Sequence, residues 1–137
     1  SRRYERALSI VMLDLDHFKK VNDNYGHSSG DDVLRSLSGM LKDELRESDL
    51  ACRWGGEEFI LLLPETALSG AVILAEKLRK SVAALSFEHH GESFSVTASF
   101  GVVSLRGEQE TSEQLFDRVD ALLYEAKRSG RNCVKGN

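Results

Sequence analysis

Two rhythms of apolar and polar positions run along this chain, one of strands and one of helices. Ile10 to Leu13 is an unbroken apolar run, the pattern of a strand buried on both faces. It ends in Asp14 and Asp16. "HFKKVNDNYG" then reads as a short helix stopped at Gly26. Val33, Leu34, Leu37, Met40, Leu41 and Leu45 recur at helical spacing, which predicts an amphipathic helix from about Ser29 lying on a sheet. "DLACRW" and "EFILLL" are strand-like runs on either side of Gly55 and Gly56, the arrangement of a hairpin. Pro64 closes the second run, as expected at a strand exit.

Ala71, Leu74, Ala75, Leu78, Val82 and Leu85 mark a second long helix. In "FSVTASFGVV" the residues Phe94, Val96, Ala98 and Phe100 share one face at strand period, so the segment is expected to be a single strand. "HHGE" before it reads as an exposed turn. Thr111 and Gln114 form a capping box for a last helix, whose apolar face is Leu115, Val119, Leu122 and Ala126. Gly130 supplies a left-handed cap before a short strand at "NCV". A hairpin set among helices implies an α/β fold with a central mixed, partly antiparallel sheet covered by helices. No G-x-G-x-x-G or Walker loop is present, so a phosphate would have to be held another way.

Length and composition narrow the class. The 137 residues suit one domain, 1–137, large enough for a proper core. The abrupt start, "SRRYERALSI", suggests a piece of a longer protein. A net charge of −4 argues against a general DNA or RNA binder, which would carry a basic excess. It leaves room for a nucleotide whose phosphates are neutralised locally by a metal. No apolar run approaches the length of a membrane span, so no direct membrane contact by this domain is expected. Cys52 and Cys133 lack metal-type spacing. They are expected to pack as small apolar side chains in a reducing, cytoplasmic setting.

The candidate chemistry lies in carboxylates at strand ends. Asp14 ends the first strand and Glu57 stands at the tip of the hairpin. If the hairpin pairs beside the first strand, the two acids approach each other. Two carboxylates with open positions between them suit Mg²⁺, which takes waters and substrate phosphates as its other ligands. Gly55 and Gly56 would let a bulky phosphate group come close to the backbone. Taken singly, each acid is as well explained as a solvated turn residue. A calcium loop in "DLDHFKKVNDNYG" is excluded, because Phe18 and Lys19 stand where an EF-hand needs a ligand and a glycine.

"RWGGEEF" resembles the signature of the GGDEF family, the bacterial diguanylate cyclases, in its GGEEF form. "DLDHFKKVNDNYGHSSGDDVL" resembles the family's first block and "YEAKRSGRN" its last, so the likeness spans Leu8 to Val134. "RESD" stands where the family often carries an inhibitory R-x-x-D motif. The leader that normally precedes the first strand is shortened to "SRRYE". The resemblance implies a fold similar to nucleotidyl cyclases and polymerase palm domains. It also implies a reaction in which two GTP molecules on two facing subunits condense into cyclic di-GMP and two pyrophosphates.

Residue roles follow from that likeness. Asp14, Glu57 and the Leu15 carbonyl would bind Mg²⁺ or Mn²⁺, with Glu58 and Asp16 nearby as supporting or second-metal candidates. Glu57 would also help deprotonate the attacking 3′-hydroxyl, and Lys19 would stabilise developing charge. Asn22 and Asp31 match guanine-reading positions, and a carboxylate can accept from guanine N1–H and its amine where adenine offers no such pair. Asp31 as a helix-start cap is the plainer alternative. His27 and Phe18 fall in the same pocket segment.

Lys127 and Arg131 would hold phosphates, although cations near a helix C-terminus also complement its dipole. Arg53 either pairs with a phosphate or braces the hairpin. Arg46 and Asp49 would grip guanine in bound product, with Lys77 as a further basic contact; alternatively the two pair with each other. A homodimer and a regulatory region upstream are implied partners, and the parent protein could be membrane-anchored. The rival reading is the same fold used as a non-catalytic nucleotide sensor.

Overall fold

The structure is a computed structural model that describes residues 7–107 and 109–137. The "SRRYE" leader lies outside them. The chain order is β1 (Leu8–Leu15), α1 (Phe18–Tyr25), α2 (His27–Glu44), β2 (Leu50–Gly55), β3 (Glu58–Pro64) and α3 (Leu68–Ala84). It continues with β4 (Phe87–His89), β5 (Glu92–Phe94), β6 (Ala98–Ser104), α4 (Ser112–Arg128) and β7 (Val134–Gly136). Five strands form one sheet in the order β2-β3-β1-β6-β7, and β4 and β5 form a small separate hairpin. β1 pairs antiparallel with both β3 and β6, while β6 and β7 run parallel. The mixed, helix-covered sheet expected from the apolar pattern is therefore present.

β1 lies at the centre, and its residues from Val11 to Leu15 are all buried. One face of the sheet takes α2 and α3 through Val33, Leu37, Leu41, Ala71, Ala75 and Leu78. The other takes α4, whose Leu115, Val119 and Leu123 pack on Met12 and Val103. The buried position on α4 is Leu123, with Leu122 only half-buried, a one-residue departure from the expected face. The Thr111–Gln114 capping box is fully formed.

α4 sits very close to the sheet. A Cβ at Gly101 on β6 would lie 2.6 Å from the Leu123 nitrogen and 2.6 Å from the Val119 carbonyl oxygen. Only a residue with no side chain permits that approach. At the start of α4, Arg118 reaches the carboxylate of Glu110 by two bonds, at 2.6 and 2.9 Å, and the Ser104 carbonyl at 2.6 Å. The guanidinium holds Glu110 well below the usual carboxylate range, at about 2, with a backbone bond from Arg106 adding to the effect.

Two expectations need correction. "FSVTASFGVV" is two strands, because pairing changes from the small hairpin to the main sheet across residues 95–97. The last strand is Val134–Gly136, two residues later than "NCV". "HHGE" is the turn expected of it, with His90 and Gly91 at the tip between β4 and β5. In addition, Cys52 is exposed on β2, all of whose residues are exposed at the sheet edge. Cys133 is half-buried, with its thiol 3.4 Å from the Ala126 carbonyl. Among the described residues no helix is long and apolar enough to cross a membrane.

Candidate active site

The end of β1 and the β2–β3 turn meet as the hairpin geometry requires. Asp14 is opposite Glu58 in the β1–β3 register, and the Leu15 N–H donates to the Glu57 carbonyl at 3.3 Å. Both glutamates are half-buried. Asp14 is 5% exposed. Its Oδ2 accepts from Lys127 Nζ, brought over by the last turn of α4. Its Oδ1 is buried and lacks a hydrogen-bond partner among the described residues. Burial is the largest influence on this group and raises its pKa from 3.8 to about 6, with Lys127 opposing and the Glu57 and Glu58 charges adding to the rise. Pairing thus brings Asp14 to the same end of the sheet as Glu57 and Glu58.

An orphaned buried carboxylate oxygen is rare and calls for an explanation. Beside it stand two more carboxylates and the backbone at Leu15, all hard oxygen donors of the kind Mg²⁺ or Mn²⁺ takes. Among the described residues no group of three or more His, Cys, Asp or Glu is placed to hold a metal ion. Mg²⁺ asks for fewer protein ligands, one or two carboxylates, with waters and substrate phosphates in its other positions. The residues therefore fit such an ion.

Asp16 is different. It is also 5% exposed, yet Oδ1 accepts from Ser99 Oγ at 2.7 Å, and Oδ2 accepts from Thr97 Oγ1 at 2.6 Å and the Asn132 N–H at 3.0 Å. Its carboxylate is taken up by three protein donors, unlike that of Asp14. Thr97, Ser99 and Asn132 went unnoticed in the sequence. The only signal available was two hydroxyl residues at strand spacing inside an apolar run.

The guanine-segment residues gather at the α1–α2 junction. A Cβ on Gly30 would lie 1.9 Å from Asn22 Oδ1, a clash, and 3.1 Å from Phe18 Cζ. Gly30 thus allows Asn22 and Phe18 to press against α2, directly beside exposed Asp31. His27, the first residue of α2, is exposed, as is Lys19 on α1. Asp31 makes no cap bond for α2. Beyond Gly55 and Gly56 a Cβ would meet nothing within 4 Å, so the hairpin tip is open ground.

A cavity of about 410 Å³ runs from Glu58 to Asp117, Asp120, Tyr124 and Lys127 on α4. Arg131 is exposed in the turn after α4. Of the two readings for Arg53, the structure supports the brace, with Nε donating to the Gly56 carbonyl at 2.8 Å.

Arg46 and Asp49 close on each other. Arg46 Nη2 and Nε reach the Asp49 carboxylate at 2.9 and 3.3 Å, and the Arg46 N–H donates to it at 2.9 Å. The guanidinium also holds the Pro64 carbonyl and Thr66 Oγ1, each at 2.8 Å. The pair lies on the rim of a cavity of about 520 Å³ floored by Leu41, Leu45 and Phe59. Lys77 pairs with Glu44 at 3.4 Å.

The same architecture recurs in solved structures. Diguanylate cyclase SiaD from Pseudomonas aeruginosa, in complex with its activator SiaC, superposes with a TM-score of 0.92 at 47% identity, covering 100% of this chain and 52% of that one. The GGDEF domain of DgcB from Caulobacter crescentus, in complex with c-di-GMP, gives 0.90 at 33% identity, covering 95% of this chain and 77% of that one. Diguanylate cyclase DgcP from Pseudomonas aeruginosa is 46% identical over 128 residues, 93% of this chain and 19% of the relative. A family model described as "Diguanylate cyclase, GGDEF domain" matches residues 1–133. The chain belongs to the GGDEF family of diguanylate cyclases. It spans between about a fifth and about a third of the length of curated relatives such as DgcP, at 19%, and diguanylate cyclase A of Treponema denticola, at 35%.

Proposed function

We propose that this domain, residues 1–137, condenses two GTP molecules into cyclic di-GMP and two pyrophosphates, working as one half of a symmetric pair within a longer regulated bacterial protein. The observation that carries this reading is the orphaned Asp14 Oδ1 beside Glu57, Glu58 and Lys127. Asp14, Glu57 and the Leu15 carbonyl would hold Mg²⁺ or Mn²⁺, with Glu58 beside them; the bound ion supplies charge neutralisation at the α-phosphate and aligns the attacking and leaving oxygens.

The remaining work belongs to side chains. Asp31 and Asn22 accept from the guanine edge, with Phe18 and His27 lining the base, and this selects GTP over ATP. Lys127 and Arg131 hold the β- and γ-phosphates, and Lys19 supports the charge developing on the transferred group. Glu57 takes the proton of the 3′-hydroxyl. The 3′-oxygen then forms its bond to the opposite α-phosphorus as the bond from that phosphorus to pyrophosphate oxygen breaks. Two facing copies perform this once each, because one domain carries only half the reaction centre.

Product inhibition through Arg46 and Asp49 is part of the proposal, with Lys77 as an outer contact. The DgcB domain was solved in complex with c-di-GMP, which supports this reading. Here the guanidinium must turn away from Asp49 before it can pair with guanine. Incubating the chain with GTP and Mg²⁺, with products read by mass spectrometry, tests the reaction. Cyclic di-GMP should appear at a rate rising more steeply than protein concentration. No product at high protein concentration would leave only nucleotide binding.

A further inference from the structure

We propose that Asp16 is a positioning residue that clamps the turn carrying Arg131 onto the strand carrying Asp14. The inference rests on the reading of Lys127 and Arg131 as phosphate ligands. The acid is buried and its two oxygens take three donors, from Thr97 and Ser99 at the start of β6 and from the Asn132 main chain. The first two donors hold the carboxylate in place. The third ties it to the turn between α4 and β7.

That turn is held in an unusual shape. Arg131 and Asn132 both have positive φ, 65° and 47°, a region few residues other than glycine enter and one that surrounding contacts must impose. The Arg131 N–H donates to the Ala126 carbonyl at 3.1 Å. The Asn132 N–H donates to Asp16, and its side-chain oxygen accepts from Arg79 on α3 at 3.0 Å. The turn is thus pinned from the sheet by Asp16 and from α3 by Arg79. Through it, the separation between Arg131 and Asp14 is set by a chain of only a few rigid links, Asp14 to Asp16 to Asn132 to Arg131. Phosphate ligands gain their effect from being fixed before the substrate arrives.

The alternative role, a charged metal ligand, makes a different demand on the residue. An asparagine at this position can point its oxygen at Thr97 and Asn132 and its amide group at Ser99, whose hydroxyl can accept. A clamp therefore tolerates Asp16→Asn and fails in Asp16→Ala. A metal ligand fails in both.

The test compares wild type, D16N, D16A and R79A by amide hydrogen exchange and steady-state kinetics with GTP. In D16A, exchange across residues 129–133 should quicken about tenfold, and KM for GTP should rise about tenfold while kcat falls less than about threefold. D16N should stay near wild type in exchange and in the Mg²⁺ concentration for half-maximal rate. A merely weakened fold would lower the active fraction, and so kcat, without moving KM. If D16A does not fold, R79A carries the same test, with quicker exchange confined to the turn and a smaller KM rise. An increased Mg²⁺ requirement in D16N, or unchanged exchange and KM in the folded variants, would overturn the clamp. A wild-type chain that makes no cyclic di-GMP would defeat the proposed reaction, and the exchange result would then decide the clamp by itself.

Discussion

Asp14 and Asp49 are both acids buried against a cation, and they are prepared for opposite events. Asp49, with its side chain 2% exposed, has its carboxylate taken up by the Arg46 guanidinium and main-chain N–H. Asp14, with its side chain 7% exposed, has one oxygen on Lys127 and the other without a partner among the described residues. Satisfied charge stabilises the turn it closes, whereas an unsatisfied buried acceptor is a standing cost until a ligand relieves it. The first arrangement is a structural lock on its own turn. The second leaves a buried acceptor open at the end of β1. Burial alone would not tell them apart.

The sharpest way to break the contrast is at the catalytic edge. Glu57→Gln should lower turnover by at least about 10²-fold while leaving the thermal midpoint near wild type, because it removes charge from an open tip. Retained turnover would remove Glu57 from the reaction. Asp14→Asn should act in the other direction on stability. The folded pKa of Asp14 lies near 6 against an unfolded 3.8, so the native state binds the extra proton between those values. The stability this group contributes is full below about pH 4 and is lost as pH rises through about 6. Without metal, the asparagine variant should therefore be more stable than wild type at pH 8, by about 1–3 kcal/mol, and equal near pH 4. Urea denaturation at the two pH values in chelator measures this.

At the lock, Asp49→Ala should cost about 1–3 kcal/mol by leaving the Arg46 main-chain N–H and guanidinium without their acceptor. Its thermal midpoint reports the loss. Arg46→Ala should raise tolerance to added cyclic di-GMP with KM for GTP unchanged, and unaltered inhibition would reduce the pair to a turn support. Smallest of all, Lys77→Ala breaks a half-exposed ion pair with Glu44 and should change stability by under about 1 kcal/mol.

The long elements were legible because each buries a face at its own period. β1 shows as Ile10 to Leu13, α2 as the stripe from Val33 to Leu45, and α3 as the stripe from Ala71 to Leu85. The β4–β5 hairpin was not, since its strands have three residues each and are anchored by tertiary contacts of Phe87, His89 and Phe94, the last two on Tyr25. Cys52 was misjudged because composition cannot distinguish an edge strand from a central one. The approach of Asp14 to the GGEEF turn hung on the hairpin pairing beside β1, a long-range pairing that the hairpin pattern alone does not dictate.

What held Asp16 was invisible for a different reason. Its side-chain donors Thr97 and Ser99 lie 81 and 83 residues away, and the Asn132 amide 116. At strand period Asp14 and Asp16 share a face and look equally available. Only tertiary placement separates them.

Gly101 has a consequence for how Lys127 is delivered. α4 rests on β6 through main-chain atoms of Val119 and Leu123, and Lys127 projects one helical turn further on. One methyl group at 101 would act as a shim, lifting the helix and tilting its far end. The ammonium group that faces Asp14 would swing with it, so the height of a helix above a sheet sets the spacing of charges at the catalytic edge.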